Sequence, residues 1–390
     1  MSKSFMKKSF AQTMLKASRL IRRSLLAVAP KVWPQIRTEV RPEARREPVP
    51  AANDSKVNPS TKDAPPQVII MRPAQPAGDT PTEIPRKASP GLPRREASFT
   101  KHRFVFEGDT YPYRLYIPSA PASGVSDSRP MPLLVLLHGC KQDALDFSNG
   151  TAMNALAEDH QVMVLYPEQI TSANAMRCWN WFELDHQQAE RGEPGMIAAL
   201  TKKIIQKQGA DPERVYIAGL SAGGAMAAVV SSLYPDIFAA VGVHSGLAAG
   251  AAQDVMSAFG AMRSGAKGHV SPVMPTIVFH GTADKTVHPN NGEYITDAAL
   301  AALKASGVAL TETQSTVGHS SNHGESGEDK TERVVYSTAD GKPYIENWRI
   351  DGGPHAWSGG DAAGSYTDPD GPSASAALLA FFLQHRLHRA

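Results

Sequence analysis

The chain of 390 residues has only two cysteines, almost no net charge and no long apolar run. No stretch provides the roughly 20 consecutive apolar residues that a membrane-spanning helix needs, so the sequence predicts no transmembrane helix. Forty basic and 38 acidic side chains leave a formal charge of +2, which gives no reason to expect nucleic acid as a partner. Two cysteines in a chain of this length say little about the redox compartment.

Acidic residues are absent from the start of the chain, since no Asp or Glu precedes Glu39. Lysine and arginine recur in residues 1–40, and the apolar residues there follow helical spacing: Phe10, Met14, Ala17, Ile21 and Leu25. We predict a basic amphipathic helix that makes peripheral contact with a membrane or a polymer granule. The pair Arg22-Arg23 and the small residues from Ala27 also permit a cleaved leader or a simple tail.

Aromatic residues are scarce in residues 41–98, which are rich in proline, alanine and charge. A segment of this composition cannot bury enough apolar area to offset the entropy lost on ordering. We therefore predict a disordered linker over residues 41–98 and a folded domain over residues 99–390.

Short apolar runs dominate the chain after the linker. The alternating segments RFVFEG and YRLYIP predict an early antiparallel pair, and the later runs are PLLVLLHG, VMVLYPE, RVYIAG, AAVGVHSG and TIVFHGTAD. Unbroken apolar strands separated by helical segments are typical of parallel sheets covered on both faces. The sequence predicts an α/β fold with a doubly wound, mostly parallel sheet, helices on both faces and reactive loops beyond the carboxyl ends of the strands.

A single serine stands at the junction of one such run and a helical segment. Ser221 lies in GLSAGG, between the strand-like residues 215–218 and the helix-like residues 224–234. The flanking Gly219 and Gly223 permit a turn tight enough to hold the hydroxyl out above the sheet. We predict that Ser221 is a catalytic nucleophile.

A serine nucleophile needs a base, and the base needs an orienting carboxylate, in the chain order Ser, acid, His. Asp284 follows the strand TIVFHGTAD as the acid, and His355 follows the strand-like YIENWRI as the base. Asp351 and Asp361 remain alternatives for the acid. The other histidines are less well placed: His138 and His280 at strand ends, His244 before any candidate acid, and His323 in a polar segment.

An oxyanion requires two donors, and the loop after an early strand usually supplies one of them. In LLHGCKQD, Gly139 permits a sharp turn. We predict that the amides of Cys140 and Ala222 form the oxyanion hole.

The segment CWNWF concentrates aromatic side chains between predicted elements. Large flat rings offer apolar contact to an ester group, so Trp179, Trp181 and Trp357 are candidate substrate-binding residues. The alternative is that they pack over the sheet.

The segments LHGCKQD, RCWNWF, GEPG, GLSAGG, HGTAD and GGPHAW, in this order, resemble the polyhydroxybutyrate depolymerase-like esterase family. This family belongs to the α/β-hydrolases and is related to feruloyl and acetylxylan esterases; the resemblance covers residues 106–387. It implies a serine esterase without metal or organic cofactor, with Ser221 as nucleophile, Asp284 as acid, His355 as base and Cys140 in the oxyanion hole.

The resemblance implies an ester substrate, a polyhydroxyalkanoate-type polyester or its oligomers, and an extracellular or periplasmic location. A cytoplasmic or granule-associated location is the alternative, because the sequence shows no clear signal peptide. A disulfide between Cys140 and Cys178 would indicate an oxidising compartment. Other functions open to the same fold are a feruloyl or acetylxylan esterase, a serine peptidase, or a non-catalytic binding protein.

Overall fold

The computed structural model describes residues 95–120, 129–269, 272–319 and 329–387. The predicted basic helix in residues 1–40, the predicted linker up to residue 94, and His323 lie outside these ranges. In the described ranges, no helix is both long enough and apolar enough to cross a membrane.

The described ranges form one large mixed sheet and one small parallel ladder. The strands of the large sheet are β1 (Ser98–Phe106), β2 (Asp109–Ile117), β3 (Leu133–Leu137), β4 (Met163–Pro167), β5 (Val215–Leu220), β6 (Ala240–His244), β7 (Thr276–Gly281), β8 (Thr311–His319), β9 (Asp329–Ser337) and β10 (Pro343–Ile350). Their spatial order is β1-β2-β4-β3-β5-β6-β7-β10-β9-β8. The small ladder pairs β11 (Trp357–Ser358) with β12 (Thr367–Asp368).

The centre of the large sheet is parallel and both of its edges are antiparallel. The six central strands pair in parallel with one another, in the order β4, β3, β5, β6, β7 and β10. At the two edges the pairing is antiparallel, between β1 and β2, β2 and β4, β10 and β9, and β9 and β8. The predicted mostly parallel α/β sheet is confirmed. The pairing of β8 with β9 was not predicted, because β8 reads TETQSTVGH and is almost entirely exposed.

Helices cover both faces of this sheet. They are α1 (Ala144–Thr151), α2 (Met153–His160), α3 (Gly192–Gln208), α4 (Ala222–Leu233), α5 (Val255–Ser264), α6 (Asn290–Ala305) and α7 (Ala374–Phe382). Alternate residues of β3 point to opposite faces, so Leu133 packs in the core beneath α3 and α4, whereas Leu134 packs in the core beneath α1, α2 and α7. Both leucines are fully buried.

The parallel pairing brings the loops with the predicted site residues to the same end of the strands. Cys140 follows β3, Ser221 follows β5, Asp284 follows β7 and His355 follows β10. Since these four strands run in the same direction, their carboxyl ends all lie on the same side of the domain.

Candidate active site

Ser221 occupies a strained turn between β5 and α4. Its backbone angles, φ of 57° and ψ of −120°, lie in a region that residues other than glycine rarely adopt. Its amide donates to the His244 carbonyl at 2.9 Å, and its carbonyl accepts from the Ala225 amide at 2.9 Å. These bonds hold a conformation that costs roughly 1–3 kcal/mol on its own.

Two glycines make this turn possible. A methyl group at Gly219 would lie 2.7 Å from the Leu137 carbonyl oxygen, and one at Gly223 would lie 2.5 Å from the His138 carbonyl oxygen. Both separations are shorter than any real carbon contact. The missing side chains therefore let the start of α4 press against the end of β3.

The structure brings Ser221, His355 and Asp284 into one hydrogen-bonded chain. His355 Nε2 lies 2.9 Å from Ser221 Oγ, and His355 Nδ1 lies 2.6 Å from Asp284 Oδ2. A carboxylate only accepts, so Nδ1 carries the proton and Nε2 is left to accept the proton of the serine hydroxyl. This arrangement has the geometry of a nucleophile, a general base and an orienting acid.

The two alternative acids have other partners. Asp351 Oδ1 accepts from the Thr282 hydroxyl at 3.0 Å, and Asp361 Oδ1 accepts from the Ala363 amide at 2.8 Å. Among the described residues, Asp284 is the carboxylate that contacts His355.

Asp284 has a fully buried side chain with several donors around it. Its Oδ1 accepts from the amides of Thr286 at 2.8 Å and Val287 at 2.9 Å. Burial acts to raise the pKa of Asp284, but the hydrogen bonds from His280 and His355, the charge of His355 and the Val287 amide together lower that pKa well below its usual range. The carboxylate therefore stays ionised near neutral pH.

His138 and His244 are buried imidazoles that brace the loops of the site. His138 Nδ1 donates to the Gly139 carbonyl at 2.8 Å, while Nε2 accepts from the Gln169 amide at 3.1 Å. His244 Nε2 accepts from the Ser358 amide at 3.0 Å, three residues beyond His355. Burial lowers the pKa of His138 to about 4 and that of His244 to about 3, so both rings are neutral near pH 7.

The loop after β3 is joined to the aromatic segment that follows β4. Cys140 and Cys178 form a disulfide. The Lys141 amide donates to the Met176 carbonyl at 2.7 Å, and Trp179 Nε1 donates to the His138 carbonyl at 3.1 Å. These links hold residues 138–141 beside the start of α4.

Sequence reasoning missed Glu193, which holds the segment after β4 that contains Cys178. Its side chain is fully buried near the start of α3 and accepts from the amide and side chain of Asn180, both at 2.7 Å, and from the Gln169 side chain. Burial raises the pKa of Glu193, against the opposing effects of His186 and these donors. The GEPG segment marks a helix start, but no periodicity shows that its glutamate points inward.

Cys140 follows β3 and Ala222 begins α4, so both residues belong to the elements that meet behind Ser221. In the described part of the chain, neither amide donates to a protein acceptor. Ala222 is the first residue of α4, where backbone N–H groups lack intrahelical partners and the helix dipole favours negative charge.

The three candidate tryptophans are buried. Trp179 and Trp357 are inaccessible to solvent, and Trp181 is 4% exposed. Trp357 stacks on His244 at 5.0 Å between ring centroids, and its Nε1 donates to the Ser375 hydroxyl at 3.0 Å. These contacts favour the packing alternative for Trp179 and Trp357, because neither ring presents a face to an incoming ester.

No group of three or more His, Cys, Asp or Glu side chains within the described ranges is arranged to hold a metal ion.

A model of the family described as "Esterase PHB depolymerase" matches residues 111–314, just over half of the chain. The chain belongs to this family. The match includes Ser221 and Asp284 and ends before His355.

Two curated relatives illustrate the range of the family. Poly(3-hydroxyalkanoate) depolymerase C of Paucimonas lemoignei is 30% identical over 240 residues, which are 57% of this chain and 54% of the relative. Probable acetylxylan esterase A of Aspergillus clavatus is 30% identical over 200 residues, which are 45% of this chain and 61% of the relative. The chain thus spans between half and two thirds of the length of these relatives.

The solved acetyl xylan esterase from Aspergillus awamori has a similar fold. It superposes with a TM-score of 0.52 at 20% identity, covering 73% of this chain and 99% of that one. This similarity, with the sheet order, shows that the domain has the α/β-hydrolase fold.

The close approach at Gly223 predicts a steric effect on stability. Gly223→Ala places a methyl group against two carbonyl oxygens of β3 and its loop, and we expect a loss of about 3 kcal/mol or more in the free energy of unfolding. The control is Gly318→Ala, because a methyl group there meets nothing within 4 Å. Urea unfolding measures both variants, and equal stabilities would contradict the steric account.

The buried neutral histidines predict acid destabilisation. His138, His244 and His385 have folded pKa values of about 4, 3 and 3, whereas an exposed histidine titrates near pH 6.5. The unfolded chain therefore binds protons that the folded chain excludes, and stability present above about pH 6.5 is lost as the pH falls toward 4. Each histidine contributes up to about 1.4 kcal/mol per pH unit.

This dependence is measured by urea unfolding between pH 7.5 and 5. His385→Leu, remote from the serine, should reduce the slope of stability against pH by up to about 1.4 kcal/mol per pH unit, since it removes one of the three such groups among the described residues. An unchanged slope in that variant would contradict the assignment.

Proposed function

We propose that this protein is a serine esterase that hydrolyses carboxylic esters through an acyl-enzyme. The observation that carries the proposal is the hydrogen-bonded chain from Ser221 through His355 to Asp284, with the serine on a strained turn at the carboxyl edge of an α/β-hydrolase sheet. Membership of a family of esterases supports the same chemistry.

The first half of the reaction acylates the serine. His355 Nε2 removes the proton from Ser221 Oγ as the oxygen attacks the ester carbonyl carbon, and the amides of Cys140 and Ala222 donate to the resulting oxyanion. Asp284 holds the imidazole in the required tautomer and stabilises its protonated form. His355 then gives the proton to the departing alkoxide, and the alcohol leaves.

The second half releases the acid. His355 removes a proton from water as the water oxygen attacks the acyl carbon, and the same two amides stabilise the second oxyanion. Returning the proton to Ser221 Oγ restores the free enzyme.

We propose esters of hydroxyalkanoate chains, as polyester or as oligomers, for the substrate. The similarity to a poly(3-hydroxyalkanoate) depolymerase supports this choice. A second observation supports this choice, because an apolar polymer surface needs exposed apolar side chains to contact. Such side chains lie on two segments that are joined by a hydrogen bond from the Gln187 side chain to the Ala252 carbonyl at 2.7 Å. They are Leu184, Met256 and Phe259, exposed by 57%, 75% and 42%.

Acetylxylan or feruloyl esters are the second candidate class, because relatives of similar identity carry those names.

Replacing the nucleophile tests the proposal directly. Ser221→Ala should lower kcat on a short p-nitrophenyl ester by roughly 10⁴-fold or more, while the unfolding free energy changes little because the variant removes only a hydroxyl from a turn. Asp284→Asn should lower kcat by roughly 10³- to 10⁴-fold. Turnover at the wild-type rate in Ser221→Ala would end the serine-esterase proposal, and failure of a serine-directed phosphonate to label the wild-type protein would favour a non-catalytic role.

Parallel assays separate the substrate classes. We expect hydroxybutyrate oligomers to be cleaved with higher kcat/KM than acetylated xylan, feruloyl esters or peptide anilides. The paired change Met256→Ser with Phe259→Ser should lower the rate on a solid polyester film several-fold and leave the rate on the p-nitrophenyl ester unchanged, because only the film offers an extended apolar surface. Val105→Ser, at another exposed apolar site, is the control. A preference for peptide anilides or sugar esters would overturn the substrate assignment.

A further inference from the structure

His280 is a second imidazole beside the carboxylate of Asp284. It lies on β7, one residue before the end of the strand, and is 3% exposed. Its Nε2 lies 2.9 Å from the Val287 carbonyl oxygen and 3.4 Å from Asp284 Oδ2. That carboxylate oxygen is the one that His355 Nδ1 meets at 2.6 Å.

The partners of His280 determine its tautomer. A carbonyl oxygen and a carboxylate oxygen both accept hydrogen bonds, so the Nε2 between them carries the proton. Nδ1 is buried and has no hydrogen-bond partner among the described residues. On that side the ring packs against the first turn of α6, where a methyl group at Gly292 would lie 3.2 Å from Nδ1.

An unpaired buried nitrogen is costly, and an apolar ring of the same size would avoid that cost. The contacts of Nε2 therefore account for the presence of histidine at this position. Both of these contacts are made with the loop of residues 282–287, which contains Asp284 and Val287. Neither contact points to where a substrate would lie.

We propose that His280 is a positioning residue for the reaction, whose single Nε2 proton is shared between the Val287 carbonyl and Asp284 Oδ2 and keeps that oxygen directed at His355. The proposal rests on the proposed function, because it assigns a role within the same triad.

The geometry divides the carboxylate between two sets of donors. The amides of Thr286 and Val287 donate to Oδ1, His355 Nδ1 donates to Oδ2, and His280 Nε2 lies 3.4 Å from Oδ2. Without His280, only His355 would hold Oδ2, and the carboxylate could turn about its bond to Cβ. A misdirected carboxylate weakens stabilisation of the imidazolium that forms in the transition state, so the loss falls on kcat and leaves KM unchanged.

Two amide variants of equal polarity test the proposal. In His280→Gln the side-chain amide reaches the position of Nε2 and can donate there, whereas in His280→Asn it reaches only the position of Nδ1. We expect kcat on the p-nitrophenyl ester to fall roughly tenfold to a hundredfold in His280→Asn and about threefold or less in His280→Gln, with KM within about twofold of wild type in both. The control is His385→Leu, which should keep the wild-type kcat. His385 is also a buried histidine with an unpaired Nε2, but it lies against Tyr216 at the start of β5, at the amino ends of the parallel strands.

A double-mutant cycle with Asp284→Asn separates action through the carboxylate from general damage. In the Asp284→Asn background, His280→Asn should lower kcat by less than about twofold, because the group that it positions is already lost. The proposal is overturned by a wild-type kcat in His280→Asn, by equal losses in the Asn and Gln variants, or by a full further loss in the Asp284→Asn background. Failure of the proposed function gives a different result, since Ser221→Ala would then remain active.

Discussion

Steric crowding where β5 turns into α4 is the constraint on which the rest of the site depends. Gly219 and Gly223 lie so close to the backbone of β3 that neither position has room for a methyl group. The tight turn forces a positive φ on Ser221, leaves its hydroxyl free of any capping bond to the helix, and places the first amide of α4 beside the loop after β3. The position of Ser221 and those of the proposed oxyanion donors thus depend on the close approach of these two glycines to β3.

Buried polar residues hold the segments that carry the predicted site residues. Glu193 supports the segment after β4 that contains Cys178, His244 holds the backbone beyond His355, and His280 lies against Asp284. Burying these groups costs free energy unless they are hydrogen-bonded, and the donors and acceptors around them offset most of that cost. Such networks permit few alternative arrangements, so the reacting atoms are positioned before substrate arrives.

The parts of the fold that were predictable are those written in local patterns. Apolar runs marked the central strands, and small residues around Ser221 marked the turn. Strand β8 escaped prediction because it is polar and exposed, and Glu193 escaped because the three donors to its side chain come from segments distant in sequence. The tryptophans show a further limit: composition indicates that large rings are present, but only packing decides that Trp179 and Trp357 are enclosed.

The disulfide makes the two sides of the site unequal in their resistance to local opening. Cys140 and Cys178 are 38 residues apart, and closing a loop of that length removes roughly 4 kcal/mol of chain entropy from the unfolded state. The bond ties the backbone at Cys140 to that at Cys178, so neither segment can move away without the other. His355 is followed by the short ladder of β11 and β12, which hydrogen bonds and packing alone retain. Native-state fluctuations should therefore begin on the side of His355, while the loop of Cys140 exchanges its amide protons only in larger and rarer openings.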